Sequence, residues 1–244
     1  MKICVILLGG TEDCLPASSV NLGFFKKYNK PEITWIVHGE EEKKLLSFSN
    51  FVKKAYTAND ITNSKVANEE FDLLVNFTLS LHPSDPFVNA KEIVGFNFEK
   101  DSSKYYEILY NNKPTKMNLF QVYYRLAGLK WRGEGYGIQY FPKTKAKKDR
   151  AAIAVDNLKL RYYIEDRLDL EGMRLSTIPY KKSIMKRMDE LNKFSHIITD
   201  DLLTLHLSVY LRKFVHYLET VPLNTNMEFF GNGRLYQVPS KIVK

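Results

Sequence analysis

The stretch MKICVILLGGTEDCLPASSV (residues 1–20) decides the fold class. Its apolar run, residues 3–8, is too short for the core of a signal peptide and ends in two glycines followed by acids. We therefore interpret the run as a buried strand. The glycines permit a tight turn that brings the backbone close to a ligand. The proline and serines that follow suit a first helical turn, which predicts a helix beginning near residues 16–19.

Apolar runs of similar length recur along the rest of the chain. They cover residues 33–38, 71–77, 92–98, 151–155, 173–178, 196–199 and 214–218. Helical patterns separate several of them, at residues 20–28, 40–48, 116–128, 180–192 and 201–211. Continuous apolar strands that alternate with helices are typical of parallel sheets covered on both faces. The sequence therefore predicts an α/β fold with parallel sheets flanked by helices.

The basic stretch PKTKAKKDR (142–150) interrupts this alternation. It has five lysine or arginine residues and no apolar residue larger than alanine. We interpret it as a linker between two α/β halves, with a loop inside one domain as the alternative. The predicted domains are residues 1–145 and a smaller second domain, residues 146–244.

The 244 residues carry a formal net charge of +8, spread along the whole chain. Such a charge favours anionic partners, such as phosphorylated lipids or nucleotides, although an ordinary solvated surface also explains it. There is no zinc-finger, RRM or KH pattern, so nucleic acid is not an expected partner. Two cysteines without a CxxC pair fit a reducing, cytoplasmic setting. No apolar stretch reaches the roughly 18 residues of a membrane span.

Two polar features follow the first two predicted strands, at the edge of a parallel sheet where ligands bind. In the loop GGTED (9–13), Glu12 or Asp13 is placed where a carboxylate can remove a proton from a substrate hydroxyl. An acidic cap on a polar turn is the alternative. His38 ends the second strand and is the one histidine that we retain as an acceptor-site candidate. Three of the remaining histidines, His82, His196 and His216, are predicted to be structural.

A second candidate site lies in TDDLLTLHLSVYL (199–211). A helix beginning beside Asp201 offers free N–H groups and the positive end of its dipole to a phosphate. Close approach normally requires a small residue, yet Leu202 and Leu203 occupy the first turn, and we expect at least one of them to make an apolar contact. Asp201 is then either a helix cap or a ligand contact. His206 is either a buried structural histidine or a phosphate ligand.

Together these stretches resemble glycosyltransferase family 9, the heptosyltransferase-like proteins of bacterial surface-glycan synthesis. In the first half the resemblance rests on residues 1–20, ITWIVHGEEEKKLL (33–46), FDLLVNF (71–77) and EIVGFNF (92–98). In the second half the family's Asp-Ser-Gly-x-x-His-Leu-Ala helix start is matched by DLLTLHLS (201–208), and the strand that follows by YLRKFVHYL (210–218).

The resemblance implies a GT-B fold, with the acceptor mainly on the first Rossmann-like domain and a nucleotide sugar on the second. It also implies that Asp13 is the general base, taking a proton from an acceptor hydroxyl as that oxygen attacks the anomeric carbon. Family members use no metal for this chemistry, and the sequence has no cluster of metal ligands. The resemblance also implies that Asp201 and His206 bind the donor, and we add Thr204 as a third donor-side candidate. The acceptor-side candidates are Gly9, Gly10, Thr11 and His38.

The expected function is therefore transfer of a sugar, from a nucleotide-diphosphate sugar acting as co-substrate and without a cofactor, to a surface glycan or glycolipid such as lipopolysaccharide. The expected location is cytoplasmic, with peripheral contact to the anionic inner membrane face. Departures from the family pattern include Leu7 in place of arginine and Glu12 in place of glycine. The Leu202–Leu203 pair favours an alternative, a catalytically degenerate relative that binds a glycan or a protein. A nucleotide-binding enzyme of another class is a third option, and the sequence does not define the oligomeric state.

Overall fold

The structure is a computed structural model that describes residues 1–61, 68–78, 88–96, 103–111, 113–155, 157–168, 170–179, 183–220, 232–239 and 242. The chain divides after Tyr140 into two compact units, of which the second is smaller. Each unit has its own parallel five-stranded sheet. The predicted fold class, two Rossmann-like units with parallel sheets flanked by helices, is confirmed.

The first unit is built around a sheet with strand order β3-β2-β1-β4-β5. Its strands are β1 (Lys2–Leu7), β2 (Glu32–Val37), β3 (Val52–Thr57), β4 (Glu70–Asn76) and β5 (Asn89–Gly95). Its helices are α1 (Thr11–Ala17), α2 (Val20–Lys27), α3 (Glu40–Leu46), α4 (Ala58–Ile61), α5 (Ser103–Tyr110) and α6 (Leu119–Leu126). The central strand β1 is buried from its second residue onward, which explains its continuous apolar sequence.

The second unit has strand order β10-β9-β8-β6-β7. Its strands are β6 (Lys147–Ala154), β7 (Arg174–Thr177), β8 (Phe194–Thr199), β9 (Phe214–Glu219) and β10 (Gly233–Gln237). Its helices are α7 (Leu158–Arg167), α8 (Ile184–Leu191) and α9 (Leu202–Tyr210). One apolar cluster, which includes Ile153, Leu160 and Ile198, joins α7 to the sheet.

The strand order places one candidate site in each unit. In the first sheet the order reverses between β1 and β4, and in the second between β6 and β8. Ligands of open α/β sheets bind outside the carboxyl ends of the strands at such reversals. The residues that follow β1 and β8 are Gly9–Asp13 and Asp200–Asp201 respectively, so both sequence candidates lie at these points.

Several sequence predictions need correction. The stretch 142–150 is not a linker throughout, because β6 begins at Lys147 and pairs with β7 and β8. The helix predicted near residues 16–19 begins earlier, at Thr11. The glycine- and asparagine-rich stretch 224–234, for which the sequence predicts a loop, lies largely outside the described residues, and its last two residues begin β10. His82 also lies outside them. Across the described residues, no helix is long and apolar enough to cross a membrane.

Candidate functional site

Asp13 lies in the first turn of α1, directly after the carboxyl end of β1. The turn closes early because the carbonyl of Gly10 accepts hydrogen bonds from the amides of Asp13 (3.1 Å) and Cys14 (3.0 Å). The proline that suggested a helix start, Pro16, instead lies inside α1 near its end. Asp13 is therefore fixed by helix geometry, whereas the sequence predicted a loop residue.

A buried tyrosine holds the Asp13 carboxylate. The hydroxyl of Tyr123, on α6, donates to Oδ1 of Asp13 at 3.1 Å. Tyr123 is only 1% exposed, and its ring packs edge-on against Phe77 with the ring centroids 5.2 Å apart. Because these rings cannot move without disturbing the core, the hydrogen bond sets the direction in which the carboxylate points. Sequence analysis assigned Tyr123 only to an apolar helix face and missed this contact.

The environment of Asp13 raises the pKa of its carboxyl group toward neutral pH. Burial is the main cause, followed by the charge of the neighbouring Glu12, and together they raise the pKa of Asp13 to about 6. The hydrogen bond from Tyr123 opposes this shift. A carboxylate with a pKa near 6 is ionised at pH 7 yet accepts a proton more readily than an ordinary aspartate.

The glycines of the first loop provide space for the acidic side chains. A Cβ atom added at Gly9 would lie 2.5 Å from Oδ2 of Asp13, and one added at Gly10 would lie 2.5 Å from Oε1 of Glu12. Any larger residue at Gly9 would therefore push the Asp13 carboxylate away from its present position. This close approach is a physical reason for glycine at residue 9.

The other acceptor-side candidates, Thr11 and His38, lie at the same edge of the first sheet. The hydroxyl of Thr11 donates to Oε1 of Glu42 at 2.9 Å, and the amide of Gly39 donates to Oε2 of the same carboxylate at 3.0 Å. Thr11 therefore ties α1 to α3. His38 follows β2 and is exposed. Acceptor contacts by these two residues stay predictions.

Two further tyrosines, of which Tyr110 interacts electrostatically with Asp13, were not expected from the sequence. Tyr106 and Tyr110, on α5, stack with their ring centroids 5.6 Å apart. Burial, the charge of Asp13 and the nearby Tyr106 raise the pKa of Tyr110 to about 12. Tyr110 is nevertheless 44% exposed, so part of this aromatic side chain lies at the surface. The spacing of four residues between these tyrosines is the signal that could have identified a helix here.

We expect Tyr123→Phe to raise the pKa of Asp13 above its value in the unchanged protein. The substitution removes a hydrogen bond that favours the ionised carboxylate and leaves burial unchanged. NMR titration of the Asp13 carboxyl carbon would measure this shift. Tyr124→Phe is the matched control, because Tyr124 is also buried but its hydroxyl donates to the carbonyl of Ser19 at 2.7 Å. Equal Asp13 titration curves in both variants would contradict the assignment.

In the second unit, Asp201 caps α9. One oxygen, Oδ2, accepts hydrogen bonds from the amide of Thr204 at 2.8 Å and from its hydroxyl at 2.5 Å. Thr199 ends β8, and its hydroxyl accepts a bond from the Asp201 amide at 3.0 Å and donates to the Ala154 carbonyl at 3.1 Å. The predicted strand end, helix start and cap are confirmed.

A buried arginine that sequence analysis missed completes this network. Nη2 of Arg187, on α8, lies 2.8 Å from Oδ2 of Asp201 and also donates to the hydroxyl of Thr204. The Arg187 side chain is only 6% exposed. The Asp201 carboxylate therefore serves as a helix cap and as half of a buried ion pair, which links α8 to the start of α9.

Leucines, rather than small residues, occupy the first turn of α9 after Asp201. Leu202 packs against the apolar cluster of Leu205, Val215 and Tyr217, so the predicted apolar contact is confirmed. The Leu202 side chain, in the first turn of α9, is therefore held by the apolar core of the second unit.

His206 lies inside the second unit. It is 1% exposed, and burial lowers its pKa to about 4, so its imidazole is neutral at pH 7. A contact between His206 and a donor phosphate stays a prediction, and this burial argues against it. His196 and His216, predicted to be structural, face each other with their ring nitrogens 3.1 Å apart on neighbouring strands.

Two Rossmann-like units, each with polar residues at the carboxyl ends of its central strands, correspond to the GT-B fold of glycosyltransferases. Within the residues that the structure describes, no group of three or more His, Cys, Asp or Glu side chains is arranged to hold a metal ion.

Solved heptosyltransferases share this fold. The E. coli ADP-heptose LPS heptosyltransferase II gives a TM-score of 0.66 at 12% identity, over 98% of this chain and 91% of that one. E. coli heptosyltransferase WaaC, solved with ADP-2-deoxy-2-fluoro heptose, gives 0.61 at 12% identity, over 98% and 94%. A family 9 glycosyltransferase from Veillonella parvula gives 0.61 at 11% identity, over 96% and 86%. No family model and no curated protein matches the sequence.

Proposed function

We propose that this protein is a glycosyltransferase that moves a sugar, with a heptose as the first candidate, from a nucleotide-diphosphate donor to a hydroxyl of a glycan or glycolipid. The observation that carries the proposal is the Asp13 carboxylate, which is held by Tyr123 at the carboxyl end of β1 and has a pKa near 6. The GT-B fold and the ADP-sugar bound to its structural neighbour support the same chemistry.

In this mechanism Asp13 acts as the general base. It accepts the proton of an acceptor hydroxyl while that oxygen attacks the anomeric carbon and the nucleoside diphosphate leaves. Tyr123 keeps one carboxylate oxygen occupied, which leaves the other, Oδ2, to receive the proton. Gly9 adjoins Oδ2 and provides the space for it. Asp13 is thus the base, Tyr123 orients its carboxylate, and Gly9 leaves room beside Oδ2 for the proton transfer.

On the donor side, the start of α9 is the proposed contact for the diphosphate, through backbone N–H groups and the helix dipole. Asp201 and Thr204 contribute by fixing that helix start, and Arg187 neutralises the Asp201 charge. Without Arg187, the carboxylate would repel a diphosphate. Because Leu202 and Leu203 occupy the first turn, where glycine would allow the closest approach of a phosphate, we expect donor affinity to be weaker than a glycine-containing helix start would give.

A second candidate function is a degenerate relative that binds a glycan or a protein without transferring a sugar. The observation that favours it is the same helix start, where Leu202 packs on an apolar cluster and Asp201 is engaged by Thr204 and Arg187. Calorimetric titration with ADP separates the two functions. A dissociation constant in the micromolar range supports the transferase, whereas no binding at millimolar ADP supports the degenerate relative.

We expect the double change Leu202→Ser and Leu203→Gly to strengthen ADP binding while destabilising the fold. Smaller side chains expose the N–H groups of the first helical turn. The loss of apolar packing lowers the free energy of unfolding by about 2 kcal/mol. Calorimetry and thermal denaturation of both proteins measure the two effects. The matched control is Leu175→Ser, at an exposed leucine of the same unit. Unchanged ADP affinity in the double variant would show that the leucines do not restrict the site.

A further inference from the structure

A groove in the first unit lies between the C-terminal ends of α2 and α6, at residues with no part in the proposed transfer reaction. Its volume is about 290 Å³. The charged residues that line it are Lys26, Lys27, Lys130, Arg132 and Glu134. We call it the basic groove and define it by these five residues.

The walls of the basic groove are set by close packing. A Cβ atom added at Gly23 would lie 2.7 Å from the ring of Tyr124 and 2.8 Å from Leu129, so α2 and α6 pack tightly at this point. Gly128 has a φ of +65°, and a Cβ atom there would meet nothing within 4 Å. The chain thus turns sharply after α6 and leaves an open mouth beside Lys27, whose Nζ lies 3.4 Å from the Gly128 carbonyl.

The single carboxylate of the groove is neutralised from within. Glu134 is 8% exposed, and its Oε1 lies 2.7 Å from Nζ of Lys26. Its Oε2 accepts a hydrogen bond from the amide of Arg132 at 2.6 Å. Burial pushes the pKa of Glu134 up, but the bonds from Lys26 and from the Arg132 amide outweigh it, so the pKa stays below its ordinary value. Glu134 therefore positions the wall and repels an entering anion only weakly.

The basic groove carries more positive charge than its own carboxylate and the neighbouring helix ends neutralise. Four cations against one carboxylate leave three positive charges in the basic groove. The C-terminal ends of α2 and α6 each contribute about half a negative charge, so roughly two positive charges are left. In the part of the chain that the structure describes, neither Lys130 nor Arg132 forms a side-chain ion pair. These positive charges would balance the two negative charges of a phosphate monoester.

We propose that the basic groove binds the phosphate group of a phosphate ester. The Arg132 guanidinium suits a phosphate because it can donate two parallel hydrogen bonds, and the lysines add mobile point charges around it. Two sources have this chemistry, a soluble phosphate ester and the phosphate of a lipid headgroup. Glycerol 3-phosphate and vesicles that contain phosphatidic acid represent them, because both carry a phosphate monoester.

The test uses the full chain and two double variants of equal charge. Lys130→Gln with Arg132→Gln removes two groove cations and leaves the Lys26–Glu134 pair intact, so folding is preserved. Lys44→Gln with Lys145→Gln removes two exposed cations elsewhere. Calorimetry measures glycerol 3-phosphate binding. Sedimentation measures binding to vesicles of phosphatidic acid and phosphatidylcholine at physiological ionic strength, with pure phosphatidylcholine vesicles as the blank.

We expect the groove variant to lose at least about tenfold in one or both measurements, since each basic residue near an anionic surface is worth about fivefold. The control variant should lose clearly less. A loss confined to glycerol 3-phosphate identifies a soluble ligand, and a loss confined to vesicles identifies a lipid headgroup. Equal losses in both variants, or no binding by the unchanged protein in either measurement, would overturn the proposal.

Discussion

Replacing Asp13 with asparagine is expected to slow sugar transfer by about a hundredfold or more, which is the scale of a lost general base. Asparagine has nearly the same shape, and its amide oxygen can still accept the hydrogen bond that Tyr123 donates to Oδ1. The fold and ADP binding should therefore be unchanged. Glu12→Gln is the matched control, because Glu12 is adjacent but exposed, and this variant should retain most of the activity.

The same Asp13→Asn change is expected to stabilise the fold at neutral pH. The pKa of Asp13 is about 6 in the folded protein and about 4 in the unfolded chain. Between these values the folded state holds more protons than the unfolded state, so the free energy of unfolding falls as the pH rises through that window. Above about pH 6 the penalty is complete, on the order of 1–3 kcal/mol. Asparagine carries no charge and avoids it.

Urea denaturation of the unchanged protein and of Asp13→Asn, at pH 4 and at pH 7, measures this effect. The two proteins should differ little at pH 4, and the variant should be the more stable at pH 7. A stability difference that is the same at both pH values would mean that the Asp13 carboxylate is not desolvated in solution. Reduced activity together with increased stability is the combination that distinguishes a functional carboxylate from a structural cap.

Among the variants proposed for this protein, Arg187→Met is expected to lose the most stability, at least about 3 kcal/mol in the free energy of unfolding. The Arg187 side chain is 6% exposed and Asp201 is 14% exposed, so removal of the guanidinium leaves a carboxylate largely buried without its cation. Methionine keeps most of the aliphatic packing. Because Asp201 also caps α9, the start of that helix should fray and ADP binding should weaken as well.

Arg174→Met is the matched control for Arg187→Met. Arg174 lies in the same unit, and its Nε is 3.7 Å from Oδ2 of Asp149, but the two side chains are 78% and 54% exposed. An exposed pair of this kind contributes less than about 1 kcal/mol. Thermal denaturation of both variants makes the comparison. Similar melting temperatures for Arg187→Met and Arg174→Met would contradict the buried network at the start of α9.

The sequence predicts the interior of both sheets better than their edges. Strands β1 and β8 are central, and their apolar runs are visible because both faces are covered. Strands β3 and β10 lie at sheet edges and carry polar or exposed residues, so no apolar run marks them. The helix α1 was misplaced because Pro16 suggested a start, whereas the first turn is closed by the carbonyl of Gly10.

The candidate sites were predictable only in part, because sequence patterns locate the residues that follow central strands but not their partners from elsewhere in the chain. Asp13 and Asp201 follow central strands, and the rule for ligand positions in open sheets locates both. Their partners do not follow from local patterns. Tyr123 lies 110 residues beyond Asp13 in the chain, and Arg187 lies on a different helix from Asp201. Such contacts depend on tertiary packing, which propensity and periodicity do not encode.

The rate of heptose transfer from ADP-heptose to lipopolysaccharide that lacks its heptoses, followed by mass spectrometry of the acceptor, tests the proposed function most directly. The unchanged protein should add the mass of one heptose to the acceptor and release ADP. Asp13→Asn should do so about a hundredfold more slowly at the same protein concentration. No transfer by the unchanged protein, or equal rates for the two proteins, would contradict a heptosyltransferase that uses Asp13 as its base.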